Sequence, residues 1–151
     1  MMFKTHLFFA LFLALLIFNY YNINLVFILI LVLASILPDI DHSKSFIGRK
    51  LRPLSWLINF IFGHRKLIHS LFFVLILTLI IKMFSNYYLA FLIGYVSHLF
   101  LDLLTKQGLQ IFYPLKFKVR GFIKTNGLIE KLFLWFLIVV NLIYVLRIFI
   151  I

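Results

Sequence analysis

Long apolar runs broken only by short polar or basic segments constrain this chain more than any other feature. Leu7 to Tyr21 and Leu25 to Leu37 contain no Asp, Glu, Lys, Arg or His. Leu67 to Phe84, Tyr87 to Leu104 and Leu132 to Ile150 are nearly as apolar. Such runs belong in a bilayer rather than in a water-soluble core. Composition agrees, since 65% of the residues are hydrophobic and only 13% charged, against roughly half apolar in a soluble domain. The expected fold is all-α, a polytopic membrane helical bundle of about five spans forming a single domain over residues 1–151. The first two runs are shorter than the ~20 residues that cross a bilayer comfortably, so they are expected to tilt, thin the membrane or pack inside the bundle. Met1 to Phe18, with Lys4 ahead of the apolar run, has the outline of a signal peptide. The bulky Asn19-Tyr20-Tyr21-Asn22 that follows offers no small-residue cleavage site, so this stretch is read as a retained first span.

Two long connections remain. In residues 39–66, Phe46, Ile47, Leu51, Leu54, Trp56, Phe60 and neighbouring apolar residues alternate with Arg49, Lys50 and Arg52. That mixture predicts an amphipathic helix in the interface plane, with Trp56 at headgroup depth. Pro38 is expected to end the second span and leave Asp39 and Asp41 in a loop. Residues 105–131, with Gly108, Pro114, Gly121 and Gly127, form the second connection.

A formal charge of +11 would suggest nucleic acid in a soluble protein. Here the bases lie in loops, where membrane topology places them, and no nucleic-acid partner is expected. Placing the N-terminus inside collects Lys4 and both basic connections on one side and leaves only Lys82 and Arg147 outside. The positive-inside rule therefore predicts a multi-pass protein of the cytoplasmic (inner) membrane with its N-terminus cytoplasmic. Membrane lipids are its expected partners, and anionic headgroups suit the basic connections. Oligomeric state is not readable from the sequence.

The chain has five His and four acidic residues in all, and on this topology every one falls at the cytoplasmic face. His6 opens the first span, and Asp39, Asp41 and His42 follow the second. His64 and His69 flank the start of the third, His98 and Asp102 close the fourth, and Glu130 stands before the fifth. Solvated residues with no common purpose would not avoid the opposite side so completely. His98 and Asp102 are four apart on one helix, so both can reach one ion. His64 and His69, five apart, cannot share a helix face, so one of them is expected in the loop after Gly63. With no cysteine, any metal is held by imidazole and carboxylate, which suits zinc first and also manganese, iron or magnesium. Taken singly, each residue has a plainer use as an interfacial His or a turn cap. Their co-location is what points to a divalent metal centre of His6, Asp39, Asp41, His64, His69, His98 and Asp102.

Three motifs occur in order: Leu37-Pro38-Asp39-Ile40-Asp41-His42 with Lys44-Ser45; Gly63-His64-Arg65-Lys66-x-x-His69-Ser70; and Gly94-Tyr95-x-Ser97-His98-x-x-x-Asp102-x-x-Thr105-x-x-Gly108, followed by Pro114. In this order they resemble the YdjM family, described as membrane-bound, metal-dependent hydrolases. The resemblance runs from about His6 to Glu130. It departs at Lys66 and Ile68, where relatives often carry glycine and threonine. The His-Asp pattern is also distantly similar to that of zinc-dependent phospholipases C and single-strand nucleases, but with one His-x-x-x-Asp pair a three-zinc site does not carry over.

The function expected from the residues and the resemblance together is cleavage of a phosphoester in a phospholipid or lipid-linked substrate at the cytoplasmic face. Activated water would attack phosphorus. Arg65 would pair with a phosphoryl oxygen, and His42 or Glu130 would add a ligand or protonate the leaving group. Two alternatives compete. A metal-independent lipid phosphatase would use Lys44, Arg52 and Pro53, but its Lys-to-Arg spacing is off by one and Pro-Ser-Gly-His is absent. A membrane metal-ion or proton carrier would place ionisable groups near mid-membrane rather than at one face. An intramembrane metalloprotease is excluded by the lack of His-Glu-x-x-His.

Overall fold

The computed structural model describes residues 1–21, 23–41, 45–50, 52–53, 56, 60 and 67–150, without the side chains of Asp41, Phe46, Ile47 and Phe149. Among the described residues the regular structure is helical: α1 (Phe3–Tyr20), α2 (Leu25–Ile36), a 3₁₀ turn (Leu37–Asp41), α3 (Phe46–Lys50), α4 (Leu71–Phe84), α5 (Tyr88–Leu103) and α6 (Leu128–Ile150). Two of these, Phe3–Tyr20 and Leu128–Ile148, are long and apolar enough to cross a membrane, and α2, α4 and α5 are shorter apolar helices.

Local chemistry sets most boundaries. Asn24 caps α2 by accepting from Phe27 N at 2.9 Å, and Ser70 caps α4 by accepting from Phe73 N at 3.2 Å. Four boundaries differ from the sequence expectation, the first being α1, which begins at Phe3 rather than Leu7 and so takes in His6. The third helix begins at Leu71 rather than Leu67, because the Ser70 hydroxyl takes the capping role and leaves Leu67 to His69 in a turn. The last helix begins at Leu128, four residues early, so Glu130 lies in its first turn rather than ahead of it. Pro38 does not open a loop; its fixed φ suits the tighter 3₁₀ turn into which α2 runs on. Of the expected interfacial helix, α3 is described, and beyond it Trp56 and Phe60 stack at 5.5 Å with both rings exposed. Most of residues 51–66 lie outside the described residues.

The helices run up and down. Two short turns meet at one end, where Asn24 Nδ2 donates to Tyr87 Oη at 2.8 Å. Helix α2 is central, packed on α1 and most extensively on α5; α6 packs on α1, and α4 on α5. Small residues let these helices approach. Ala10, Ala14, Leu31 and Ala90 form one buried cluster. A Cβ on Gly94 would lie 2.1 Å from the Leu31 carbonyl oxygen, so only glycine fits this crossing.

At the opposite end, the 105–127 connection folds back on α5. Leu109 and Val119 exchange backbone hydrogen bonds of 2.9 Å, and Lys106 N donates to Ile123 O at 2.9 Å. Gly108 adopts φ +62° at the turn, and the Tyr113–Pro114 peptide is cis. Apolar side chains face outward from the bundle along α4, α6 and the outer faces of α1 and α2.

Candidate metal centre

The end of the bundle that carries both long connections gathers His6 from α1, Asp39 from the 3₁₀ turn, His69 from the turn before α4, and His98 and Asp102 from α5. All five side chains are buried. Because helices that follow one another along the chain alternate in direction, the start of α1, the end of α2, the start of α4 and the end of α5 fall at one level. The site is a product of that topology.

Asp102 stands at the middle. Its Oδ1 is 3.4 Å from His6 Nε2. Its Oδ2 is 3.7 Å from His98 Nε2 and 3.9 Å from His69 Nε2. The Met1 amino nitrogen also contacts Oδ1. The rings are held face to face, with His6 stacked on His98 at 3.9 Å and 14° and His69 tilted against His98 at 5.3 Å. Two overlapping sets result, His6–His98–Asp102 and Asp39–His69–His98, each with ligand atoms within 4.8 Å of one another.

A metal ion can be tested against this donor set. Two donors at ~2.0–2.1 Å from one zinc, at tetrahedral angles, stand about 3.4 Å apart. The three His–Asp102 separations begin at that value and exceed it by at most half an ångström. His98 Nδ1 lies 2.7 Å from the Ser35 carbonyl oxygen, which can only accept, so Nδ1 carries the proton and Nε2 presents its lone pair. Among the described residues, His98 Nε2 and His6 Nδ1 are buried with no hydrogen-bond partner, and a bound cation is one way to satisfy such a lone pair. The residues fit a metal.

The supports are specific. Tyr95 Oη donates to Ile68 O at 2.9 Å, fixing the turn that presents His69. Thr105 Oγ1 donates to Asp102 O at 2.7 Å and closes the end of α5. Ser45 Oγ donates to Asp39 O at 2.7 Å and accepts from Gly48 N at 2.8 Å, joining the 3₁₀ turn to α3.

Of the residues the sequence singled out, His6, Asp39, His69, His98 and Asp102 are brought together. Glu130 is not in either set. Both its oxygens are engaged: Oε1 accepts from Met2 N at 2.6 Å and Thr5 Oγ1 at 3.0 Å, and Oε2 accepts from Asn126 N at 2.6 Å. His42, His64, Arg65 and the Asp41 side chain lie outside the described residues. Sequence reasoning gave Ser35, Thr5 and Tyr95 no role. Ser35 acts through its backbone carbonyl, which no side-chain pattern reveals. Tyr95 does stand in the third motif, so its signal was present beside His98.

A family model described as "YdjM inner membrane protein" matches residues 1–151. A Bacillus subtilis (strain 168) protein named "Uncharacterized protein YvsG" is 38% identical over 105 residues, 66% of this chain and 66% of that protein. The "Inner membrane protein YdjM" of Escherichia coli (strain K12) is 36% identical over 97 residues, 59% of this chain and 50% of that protein. The match thus spans about half to two thirds of these relatives. No solved structure matches the chain.

Proposed function

This chain belongs to the YdjM family of inner membrane proteins, and from that premise we propose that it is a metal-dependent hydrolase of lipid or lipid-linked phosphoesters. The observation that carries the reading is the convergence of three buried imidazoles from three separate segments on the Asp102 carboxylate. His6, Asp39, His69, His98 and Asp102 would hold the ion, zinc before manganese, iron or magnesium. When bound, a divalent ion there supplies Lewis acidity toward water and toward a phosphoryl oxygen.

The chain's own residues do the rest. Ser35 holds the His98 ring in one tautomer through the 2.7 Å contact at Nδ1. Tyr95 and Thr105 keep the His69 turn and the end of α5 in register. Arg65 is assigned to a phosphoryl oxygen on its place in the second motif, and His42 to proton transfer at the leaving group. The lipid assignment has a local support. A cavity of about 450 Å³ opens between α1 and α5, lined by Phe9, Leu13, Ile93, Val96, Ser97 and Phe100 among others. Phe9 is three residues from His6 and Ser97 adjoins His98. The single hydroxyl in that wall is already bonded to Gly94 O at 2.6 Å, so the wall offers an occupant only hydrocarbon.

On this reading α1, α2, α4, α5 and α6 are all embedded in the cytoplasmic membrane, with the N-terminus and both basic connections cytoplasmic. The up-and-down order and the outward apolar faces support it. At 1.5 Å per residue α2 and α4 reach only ~18–21 Å, so the bilayer would thin around them.

Elemental analysis of detergent-purified protein tests the core of the proposal. Wild type should retain stoichiometric metal, and His98→Ala and Asp102→Ala should lose it together with hydrolysis of lipid phosphates. Folded wild-type protein that retains no metal when supplied with each ion would overturn it.

A further inference from the structure

Apart from Thr105 and Asn126, the metal centre leaves the 105–127 connection and the outer face of α4 without a task. They are joined where Leu71 N donates to Ile111 O at 2.8 Å. Between Leu71, Phe72 and Leu75 of α4 and residues 111–115 lies a cavity of about 430 Å³ with an almost wholly apolar wall. Lys116 follows Leu115 directly, and Lys118 and Arg120 come at alternate positions after it; all three are exposed. No ion pair engages them among the described residues. No acidic residue occurs anywhere from Leu103 to Ile129.

Apolar side chains alternate with these cations. Leu115 is 65% and Phe117 64% exposed, so neither water nor hydrocarbon alone satisfies the segment. Water would leave the leucine and the ring uncovered, and a hydrocarbon phase would leave the ammonium groups unsolvated. Headgroup depth satisfies both. Helix α4 starts at this level, with Ser70 as its cap and an apolar surface running away from it.

We propose that this cavity is a binding site for one anionic glycerophospholipid of the surrounding bilayer, an acyl chain in the cavity and the phosphate on Lys116 and Lys118. Charge complementarity selects an anionic lipid. A zwitterionic one would bring its own cation into a segment that already carries three and no acid. None of the metal-centre residues lines the cavity, so the site stands or falls independently of the hydrolase.

The test is native mass spectrometry of the full-length protein in detergent, titrated with phosphatidylglycerol or with phosphatidylcholine of the same acyl chains. Wild type should hold phosphatidylglycerol at least about tenfold more tightly. Losing two lysines at about 1 kcal/mol each near a lipid phosphate weakens binding about 30-fold. That loss is expected in K116Q/K118Q for phosphatidylglycerol, and a smaller one for phosphatidylcholine, whose choline already offsets part of the attraction between its phosphate and the lysines. Leu75→Trp, which fills the cavity, should weaken both lipids. Equal retention of the two lipids by wild type overturns the proposal, as does unchanged phosphatidylglycerol binding in a folded K116Q/K118Q. If that variant does not fold, the wild-type comparison decides alone.

Discussion

Replacing Glu130 separates a residue that positions the metal centre from one that takes part in its chemistry. The carboxylate is fully buried and has no lysine or arginine beside it among the described residues; three donors satisfy it instead. Two of them, Met2 N and Thr5 Oγ1, belong to the start of α1, immediately before His6. Glu130→Ala strands all three donors. The buried Thr5 hydroxyl loses about 1.5–2 kcal/mol, and the two half-buried amides, which recover some water, lose about 1 kcal/mol each. The total is roughly 3–4 kcal/mol, a large share of the stability of an ordinary domain. Glu130→Gln keeps the shape, and its carbonyl can still accept from Met2 and Thr5. Its NH₂ group then faces Asn126 N–H, donor against donor, at a cost of about 2 kcal/mol. For a chain of this length about 2–4 °C of midpoint corresponds to each kcal/mol. Thermal unfolding in detergent, followed by tryptophan fluorescence, should therefore fall by roughly 4–8 °C in Glu130→Gln and further in Glu130→Ala. Retained metal should fall in the same order, because the loosened turn carries His6. A Glu130→Gln protein with wild-type midpoint and metal but no hydrolysis would refute this reasoning and return Glu130 to proton transfer.

Tyr95→Phe leaves the Ile68 carbonyl without its 2.9 Å partner, so metal affinity should weaken about tenfold while helicity by circular dichroism holds; unchanged affinity would mean that the His69 turn is set elsewhere. Gly94→Ala puts a methyl 2.1 Å from Leu31 O, forcing α2 and α5 apart by about 1 Å at about 1–3 kcal/mol. It also stretches the Ser35–His98 contact, so both the unfolding midpoint and the metal content should drop, and loss of neither would show the crossing to be slack. Because the chain has no cysteine, single replacements report topology cleanly. Lys82→Cys should react with an impermeant maleimide from outside the cell and Lys118→Cys only after the membrane is breached, whereas labelling of both from one side would break the up-and-down arrangement across the bilayer.

The helices and the level of the site were legible in the sequence for one physical reason. Apolar runs fix where helices lie, and alternation of direction then places the start of α1 beside the ends of α2 and α5. The i, i+4 spacing placed His98 and Asp102 on one face of α5. The boundaries that were missed turned on single polar groups: the Ser70 hydroxyl that caps α4, and the Glu130 carboxylate that accepts from Asn126 N and draws the start of α6 back to Leu128. Hydropathy averages over such groups and cannot see them. Glu130 is the instructive case. It lies at the same end of the bundle as the His–Asp cluster, so proximity in projection suggested a shared ion. In three dimensions its oxygens turn instead to the backbone and hydroxyl that carry His6.

That division of labour bears on how such a centre survives inside a membrane. A bilayer gives no hydrophobic reason for one helix to prefer another, so the alignment of ligands from separate helices must come from close packing and from hydrogen bonds between segments. The described contacts supply one for each ligand-bearing element. Gly94 seats α2 on α5 and brings the Ser35 carbonyl to His98; Tyr95 holds the His69 turn; Ser45 holds the Asp39 turn; Glu130 holds the start of α1. Each joins a ligand's own segment to a neighbour, and none uses a ligand's metal-facing atom. On the proposed reading the ligand residues are therefore in place before any ion arrives, and substitutions at these four supports should lower metal affinity without changing which metal is preferred.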